Sequence, residues 1–235
     1  MPEQALSDVK VLDLTWYISG PYCTKLFADY GADVIKVERP GEGDPARRMG
    51  PFLNDDPHPE KSGLFLHLNT NKRSITLNLK SETGKKIFKE LVKDVDILVE
   101  SFSPGVMERL GLDYEALAKV NPNLVMTSIS NFGQTGPYQD FKMSELILSG
   151  MGSDMYSCGL PDREPVKMGA NIVQYQVGAM AATATIFAFY AARYQGVGQH
   201  VDVSMMETQL GTIDRRALEL LAYQYVGEVT PRRDP

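Results

Sequence analysis

The chain has 235 residues, enough for one large domain or two small ones, with 43% hydrophobic and 23% charged residues. These fractions are typical of a soluble globular protein and argue against disorder and against a fibrous repeat. Its 24 Lys and Arg against 30 Asp and Glu give a formal net charge of −6, which disfavours a nucleic-acid partner. Cys23 and Cys158 lie far apart, which argues against a thiolate zinc cage and a disulfide framework.

The N-terminal segment contains no apolar run of the kind found in secretory signals, so we expect a cytoplasmic protein. A later segment, Val177 to Ala192, is apolar and uncharged. It is shorter than the about 20 residues that cross a bilayer. We therefore predict a buried core helix here and no membrane partner.

Up to about residue 130, short apolar runs alternate with helical patterns. The period-two alternation at 74–79 indicates a strand, and Ser81 is predicted to cap the helix that follows. Such alternation favours an α/β fold, a parallel sheet with flanking helices. The predicted strands are 9–14, 34–37, 74–79, 97–99 and 124–129. The predicted helices are 22–30, one after Ser81, and one from Met107 through Leu117.

The second part of the chain has a different character. Gly and Pro make 40–63 and 149–171 irregular, and long connections of this kind are often functional. A core helix is predicted from about Gln174 to Arg193, followed by a tight turn at 196–199 and a strand at 200–203. A capping box of Ser204 and Glu207 predicts a last helix before a loop-like end at 232–235. The apolar face of that helix is predicted to contain Leu210, Leu218, Leu221 and Ala222.

Four predicted strand ends carry polar and cationic residues, and ligands of parallel sheets gather at such ends. The combination suits an anionic, elongated ligand with polar and flat parts. The alternative is that Arg39, Lys72, Arg73 and Arg109 are solvated surface charges. No phosphate-loop, dinucleotide or hydrolase motif is present, and the three histidines are scattered, so no metal is expected. The four strand ends are 15–21, 38–41, 77–80 and 100–105.

Long collinear stretches of the chain resemble the class III CoA-transferases (CaiB/BaiF-like proteins), the family of formyl-CoA transferase and carnitine CoA-transferase. The stretches are VLDLTWYISGPYCTKLFADYGADVIKVERPGEGDPAR, NKRSITLNLKSETGKKIFKELVKDVDILVESFSPGVMERLGLDYEAL, NPNLVMTSISNFGQTGP and GVGQHVDVSMMET. The resemblance implies a Rossmann-like large domain, a smaller domain and two subunits interlocked like links. Residues 1–200 would form the N-terminal part of the large domain. Residues 201–235 would supply a strand, a helix and the start of the linker, and we expect the family's C-terminal part to lie outside this chain.

The resemblance also implies a chemistry and a ligand, coenzyme A as its thioester, with no metal. In the family, an aspartate attacks the thioester to form a mixed anhydride, and the CoA thiolate returns to give an aspartyl-CoA thioester. An acceptor carboxylic acid then completes the exchange. The residues that match CoA-contacting positions are Ile18 and Ser19 (backbone), Arg39 (nucleotide), Leu77, Asn78, Leu79 and Lys80 (adenine), Ser101, Phe102 and Ser103 (CoA chain), and Arg109 and Lys142 (phosphates). Ser144 and Glu145 match a pair close to the catalytic carboxylate.

The chain departs from the family at the catalytic position. Counting back from Gln199 with the family's spacing places Gln174 where the aspartate belongs, and Gly178 falls on the family's glycine. The stretch 168–176 contains no Asp or Glu. Because an amide cannot form the acyl intermediate, the isolated chain is predicted to be inactive.

Three functions remain open from the sequence. The first is a non-catalytic subunit paired with an Asp-bearing paralogue, as in the heteromeric succinyl-CoA:(R)-benzylsuccinate CoA-transferase of anaerobic toluene degradation, whose Asp-lacking subunit the chain resembles. The second is an active CoA-ester enzyme of altered chemistry, with Glu145 as its acid or base. The third is a CoA-ester-binding module without turnover. Trp16 and Tyr17 suit an aromatic or bulky acid, or else pack at a domain interface.

Overall fold

The computed structural model describes residues 4–152, 154–211, 216–229 and 232. Six strands form one parallel sheet in the order β3-β2-β1-β4-β5-β6, so the direction of strand addition reverses between β1 and β4. This confirms the predicted α/β fold with a Rossmann-like sheet. The strands are β1 (Lys10–Leu14), β2 (Asp33–Glu38), β3 (Arg73–Thr76), β4 (Ile97–Glu100), β5 (Val125–Ser130) and β6 (Gln199–Ser204).

Helices cover both faces of the sheet because each face carries its own apolar cluster. One cluster joins Phe27 of the first helix to Val99 and Val177, and the other joins Phe88 to Leu98. The helices are α1 (Ser19–Asp29), α2 (Gly63–Leu68), α3 (Glu82–Val92), α4 (Val106–Leu110), α5 (Tyr114–Ala118), α6 (Glu145–Met151), α7 (Ile172–Gln195), α8 (Met205–Gly211) and α9 (Arg216–Val226).

Two predicted elements differ in the structure, and one predicted cap is confirmed. The predicted helix from 107 through 117 is two helices, because Gly111 ends α4 with φ +67° and Asp113 caps α5 by accepting from the Ala116 amide. The predicted strand 74–79 pairs only over Arg73–Thr76, and the next residues turn towards a cleft described below. Ser81 caps α3 as predicted, accepting from the Gly84 amide at 3.1 Å.

The C-terminal predictions are met in part. Ser204 accepts from the Glu207 amide at 3.2 Å, as a capping residue does. The described helices here are α8 and α9, whose Leu210 and Leu221 are exposed instead of forming a buried face. The proposed boundary at residue 200 lies inside β6, which pairs with β5 in the same sheet. The side chain of Leu218 and residues 233–235 lie outside the described residues.

The predicted core helix is α7, which packs against α1 and β5 and buries Val177, Ala181 and Phe189. Among the helices that the structure describes, α7 is the one long and apolar enough by composition to cross a membrane. Its contact with α1 is close, because a Cβ on Gly178 would lie 2.5 Å from the Ser19 carbonyl oxygen. This packing on the sheet is that of a core helix.

Two lysines and two aspartates form a buried cluster at the carboxyl end of the sheet, which we call the charge quartet (Asp13, Lys36, Asp44 and Lys72). The side chains are at most 1% exposed. Lys36 Nζ lies 2.9 Å from Asp44 Oδ2, and Lys72 Nζ lies 3.0 Å from Asp13 Oδ2. Burial opposes ionisation, but the two lysines hold the pKa of Asp13 below its usual range, so the pairs stay charged.

The charge quartet binds the backbone of the segment that follows β1. Asp13 Oδ1 accepts from the Thr15 amide at 2.8 Å, and Lys36 Nζ donates to the Thr15 carbonyl at 2.7 Å. Asp44 Oδ1 accepts from the Tyr17 amide at 3.2 Å, and Lys72 Nζ donates to the Pro21 carbonyl at 2.8 Å. The quartet therefore fixes the path of residues 15–21, one of the four predicted ligand-binding strand ends.

We predict that Lys36→Met lowers the free energy of unfolding by about 3–5 kcal/mol, because it leaves buried carboxylates without their cation. The matched control is Lys93→Met, which removes an exposed pair with Glu90 and should cost under about 1 kcal/mol. Urea unfolding measures both. The double variant Lys36→Met with Asp44→Asn should recover part of the loss, and equal costs for the two single variants would contradict the prediction.

We also predict that Gly178→Ala destabilises the fold by about 1–3 kcal/mol, since the added methyl group would overlap the Ser19 carbonyl and Tyr22. Gly150→Ala is the control, because Gly150 is also helical and its nearest new contact would be Met155 at 3.8 Å. Thermal unfolding should show a lower midpoint for the first variant alone. A stabilised Gly178→Ala would show that the α1–α7 contact is adjustable.

Candidate functional site

A cleft of about 970 Å³ opens at the carboxyl ends of the strands, where the strand order reverses between β1 and β4. In parallel sheets this switch point is the usual place for a ligand. The four predicted strand ends all contribute to its lining, through Trp16, Arg39, Asn78 and Ser101 among others. The sheet topology therefore brings together segments that lie far apart in the chain.

Most of the predicted site residues line this one cleft. Arg109 and Lys142, predicted to lie near phosphates, do not line it and are exposed. In α4 the side chains of Val106 and Leu110 line the cleft, whereas the Arg109 side chain lies on another face of the helix, away from the cleft. The predicted residues in the lining are Ile18, Ser19, Arg39, Leu77, Asn78, Leu79, Lys80, Ser101, Phe102, Ser103, Ser144, Glu145 and Gln174.

The segment after β1 enters the cleft through an unusual backbone conformation. Tyr17 has φ +65°, a region that residues with a side chain seldom occupy. Its amide is bound by Asp44 of the charge quartet, and the Trp16 amide donates to Ser101 Oγ at 2.9 Å. Helix α1 then begins without a side-chain cap at Ile18. Its first amides are thus available to an anionic ligand.

One side of the cleft is built from stacked aromatic and cationic groups, which we call the Trp16 wall (Trp16, Arg39 and Phe102). The Arg39 guanidinium lies 4.4 Å from the centre of the Trp16 ring, and the Phe102 ring meets Trp16 edge-on at 5.2 Å. Arg39 also pairs with Glu42 at 2.9 Å. Such stacking holds a cation at the cleft with little loss of side-chain freedom on binding.

The surface-charge alternative therefore holds for some cations and fails for others. Lys72 is buried in the charge quartet, and burial lowers its pKa to about 8 although Asp13 opposes the shift. Arg73 is exposed and pairs with Asp33 at 2.6 Å. Arg109 is exposed and lies outside the cleft lining, whereas Arg39 is exposed and lines the cleft. The sequence pattern could not separate these cases, because it does not show which way each side chain points from its strand, helix or loop.

Glu38 also lines the cleft, at the end of β2. Burial disfavours its charge, but hydrogen bonds from Arg47, Ser74 and the Asp44 amide outweigh burial and lower its pKa to about 2. Arg47 donates from Nε at 2.8 Å, and the Arg47 guanidinium lies 3.7 Å from the Phe65 ring centre. Glu38 is thus an ionised structural group that ties the Gly- and Pro-rich connection to the sheet.

Gln174 and Glu145 form the far end of the cleft. Glu145 Oε1 accepts from the Val173 amide at 2.9 Å, and Glu145 Oε2 accepts from Gln174 Nε2 at 3.2 Å. Because Asn171 supplies no side-chain cap to α7, Glu145 satisfies an amide of the first turn in its place. Asp162 and Glu164, the acids nearest in sequence, are exposed and do not line the cleft.

Sequence reasoning missed several lining residues. Asn131 and Met205 follow the ends of β5 and β6, so the strand-end rule could have found them had it been applied to all six strands. Asn171 and Met143 lack such a signal, because loops and helix starts bring them to the cleft. Within the described part of the chain, no group of three or more His, Cys, Asp and Glu is placed to hold a metal ion.

Relatives share both sequence and structure with the chain. The acetyl-CoA:oxalate CoA-transferase of Acetobacter aceti is 38% identical over 98% of this chain and 58% of its own length. The succinyl-CoA–D-citramalate CoA-transferase of Chloroflexus aurantiacus is 38% identical over 98% of this chain and 56% of its own. The chain therefore spans little more than half the length of these relatives.

Solved structures agree with this relationship. A CAIB/BAIF family protein from Brucella suis superimposes with a TM-score of 0.89 and 33% identity over 98% of this chain and 60% of that protein. Rv3272 from Mycobacterium tuberculosis superimposes with a TM-score of 0.85 and 30% identity, over 95% of this chain and 61% of that protein. The profile of CoA-transferase family III matches residues 6–235. On these grounds the chain belongs to CoA-transferase family III.

Proposed function

We propose that the chain is a CoA-thioester-binding subunit of a class III CoA-transferase and that an Asp-bearing paralogue carries the acyl group. One observation carries the proposal. Gln174 lies in the cleft at the place where the family resemblance puts the nucleophilic aspartate, with its side-chain nitrogen on Glu145. An amide lacks the anionic oxygen that attacks a thioester, so the mixed anhydride cannot form at this residue.

The cleft suits a CoA thioester as a ligand. It is long and partly apolar, and it offers the cations Arg39 and Lys80 together with the uncapped start of α1. Phosphates bind such groups through charge and backbone amides, and the flat adenine suits the apolar segment from Leu77 to Leu79. The named relatives act on CoA esters of small carboxylic acids, which supports the same ligand class here.

Glu145 is a poor candidate for the nucleophile of an active enzyme. Both of its oxygens already accept hydrogen bonds, from the Val173 amide and from Gln174. It also lies at the N-terminus of α7, where the helix dipole stabilises a carboxylate and lowers its reactivity. The position of Glu145 therefore favours a role in capping α7 over the altered chemistry considered from the sequence.

An aromatic side chain in the cleft supports a proposal for the acid substrate. Tyr17 lines the cleft and is 49% exposed, whereas the Trp16 ring already packs against Arg39 in the Trp16 wall. We propose that the acid is bulky or aromatic, as benzylsuccinate is, with succinyl-CoA as the CoA donor. Tyr17 would contact the ring of such an acid in the cytoplasmic enzyme.

The proposed partner is a second, interlocked family subunit. Helix α7 exposes Phe187 (69%) and Tyr194 (86%) on the side away from α1. Large exposed aromatic groups of this kind are enriched at the centres of protein interfaces. They favour a heteromer over the remaining candidate, a CoA-ester-binding module that works alone.

Native mass spectrometry of the untagged protein from its source cells tests the partner. We expect a 1:1 or 2:2 complex with a paralogue that has Asp at the position of Gln174. A homo-oligomer without any paralogue would contradict the heteromer and leave the solitary module or the altered enzyme.

The variant Gln174→Asp tests whether one side chain accounts for the missing chemistry. We expect succinyl-CoA followed by hydroxylamine to give a hydroxamate at residue 174, detected by peptide mass spectrometry. Since Glu145 lies beside this position, one carboxyl of the new pair will have a raised pKa, and the adduct should increase with pH.

Gln174→Asn is the matched control, because it has the length of Asp without the anionic oxygen. It and the wild-type chain should give no adduct. An adduct on Glu145 in the wild-type chain would overturn the non-catalytic reading and establish the altered enzyme. No adduct in a folded Gln174→Asp chain would show that the site has diverged beyond residue 174.

A further inference from the structure

Glu100 is a buried carboxylate that the proposed function does not use. It ends β4 opposite Leu14 of β1, where the strand order reverses, and it is 3% exposed. None of the ion pairs among the described residues includes Glu100. A buried carboxylate without a cation must be satisfied by hydrogen bonds or take up a proton.

The carboxylate of Glu100 accepts a hydrogen bond within its own turn and lies beside Ser128 of the next strand. Oε2 accepts from the Phe102 amide at 2.7 Å. Glu100 and Ser128 are opposite each other in the register of β4 and β5, so both side chains leave the same face of the sheet. The carboxylate therefore closes the turn of residues 100–102 beside β5.

This turn supports the Trp16 wall at two points. Ser101 Oγ accepts from the Trp16 amide at 2.9 Å, and the Phe102 ring packs edge-on against the Trp16 ring at 5.2 Å. Trp16 in turn lies under the Arg39 guanidinium. A continuous set of contacts thus leads from the buried carboxylate to the cation at the cleft.

We propose that Glu100 is a positioning residue for the Trp16 wall, whose ionised carboxylate holds the turn of residues 100–102 against Trp16 and whose protonation loosens that hold. A neutral carboxyl accepts a hydrogen bond from the Phe102 amide more weakly than a carboxylate does. The inference goes beyond the proposed function, because it concerns how the wall of the cleft is held in place and not which ligand the cleft binds.

Ser128 and His200 allow a proton on Glu100 to be accommodated. Ser128 Oγ lies 2.9 Å from His200 Nε2, and either atom can be the donor, depending on the tautomer of the imidazole. Ser128 can therefore direct its hydroxyl proton towards the carboxylate when Glu100 is ionised and towards His200 when Glu100 is protonated.

The charged and titratable groups around Glu100 come from two elements, β6 and α5, because its register partner on β1 is the apolar Leu14. On β6, Asp202 lies opposite Ser128, and His200 stacks on Tyr114 of α5 at 5.4 Å. Glu115 of α5 acts on His200. Burial is the main cause that raises the pKa of Glu100, to about 7, with Asp202 adding to it and the Ser128 hydroxyl and the Phe102 amide opposing it.

Trp16 is the single tryptophan of the chain, so its emission reports the wall directly. We expect the emission of the wild-type chain, titrated from about pH 9 to about pH 5, to shift to the red with a midpoint near the pKa of Glu100. Glu100→Gln keeps the shape of the side chain, and its amide oxygen can accept the hydrogen bond from the Phe102 amide without carrying a charge. It should lack the transition and show the low-pH spectrum throughout, with unchanged far-ultraviolet circular dichroism.

Two further variants test the assignment by the direction of the shift. Ser128→Ala removes a donor to the carboxylate and should move the midpoint up by about one unit. Asp202→Asn removes a nearby negative charge and should move it down. His200→Gln should leave the transition in place. A transition that survives in Glu100→Gln, disappears in His200→Gln, or moves the same way in both other variants would overturn the proposal.

Discussion

The charge quartet is the constraint on which the cleft depends. Asp13 and Lys36 come from neighbouring strands, Asp44 from the Gly- and Pro-rich connection and Lys72 from the residue before β3. Two positive and two negative charges cancel in the interior, and each also binds the backbone of residues 15–21 or its neighbours. Since an unpaired charge at this depth is costly, the four elements must meet in one arrangement. That arrangement holds Tyr17 at positive φ and points α1 at the cleft.

The elements of the fold were predictable from local pattern, and the site only in outline. Apolar runs and Ser81 marked strands and a helix start because their causes lie within a few residues. The strand-end rule located most of the cleft. The family resemblance placed Glu145 near the position of Gln174, but the hydrogen bond between the two side chains came only from the structure. The contact of Asp44 with the Tyr17 amide could not be predicted from the sequence, because contacts between residues of different loops depend on the packing of the whole fold. For the same reason, the surface position of Arg109 emerged only from the direction of its helix.

The Gln174–Glu145 pair shows how function and stability oppose each other at this position. An aspartate here would place a second carboxyl group beside Glu145, which accepts a hydrogen bond from the Val173 amide of α7. Two like charges at such a distance repel and destabilise the fold. The glutamine has a hydrogen bond to Glu145 in place of that repulsion. Under the proposed function, the residue that leaves the site without a nucleophile would therefore also relax the site.

The close approach of α7 to the Ser19 carbonyl at Gly178 has a consequence for engineering. Gly178 is one helical turn beyond Gln174, so the backbone at 174 is docked by main-chain packing and not by its own side chain. The main-chain path at residue 174 is therefore set by the contact of α7 with α1, while the side chain there decides only what Glu145 meets. Side chains of different reactivity, a thiol or a carboxylate, can be placed on this one backbone position and their chemistry compared at a common location.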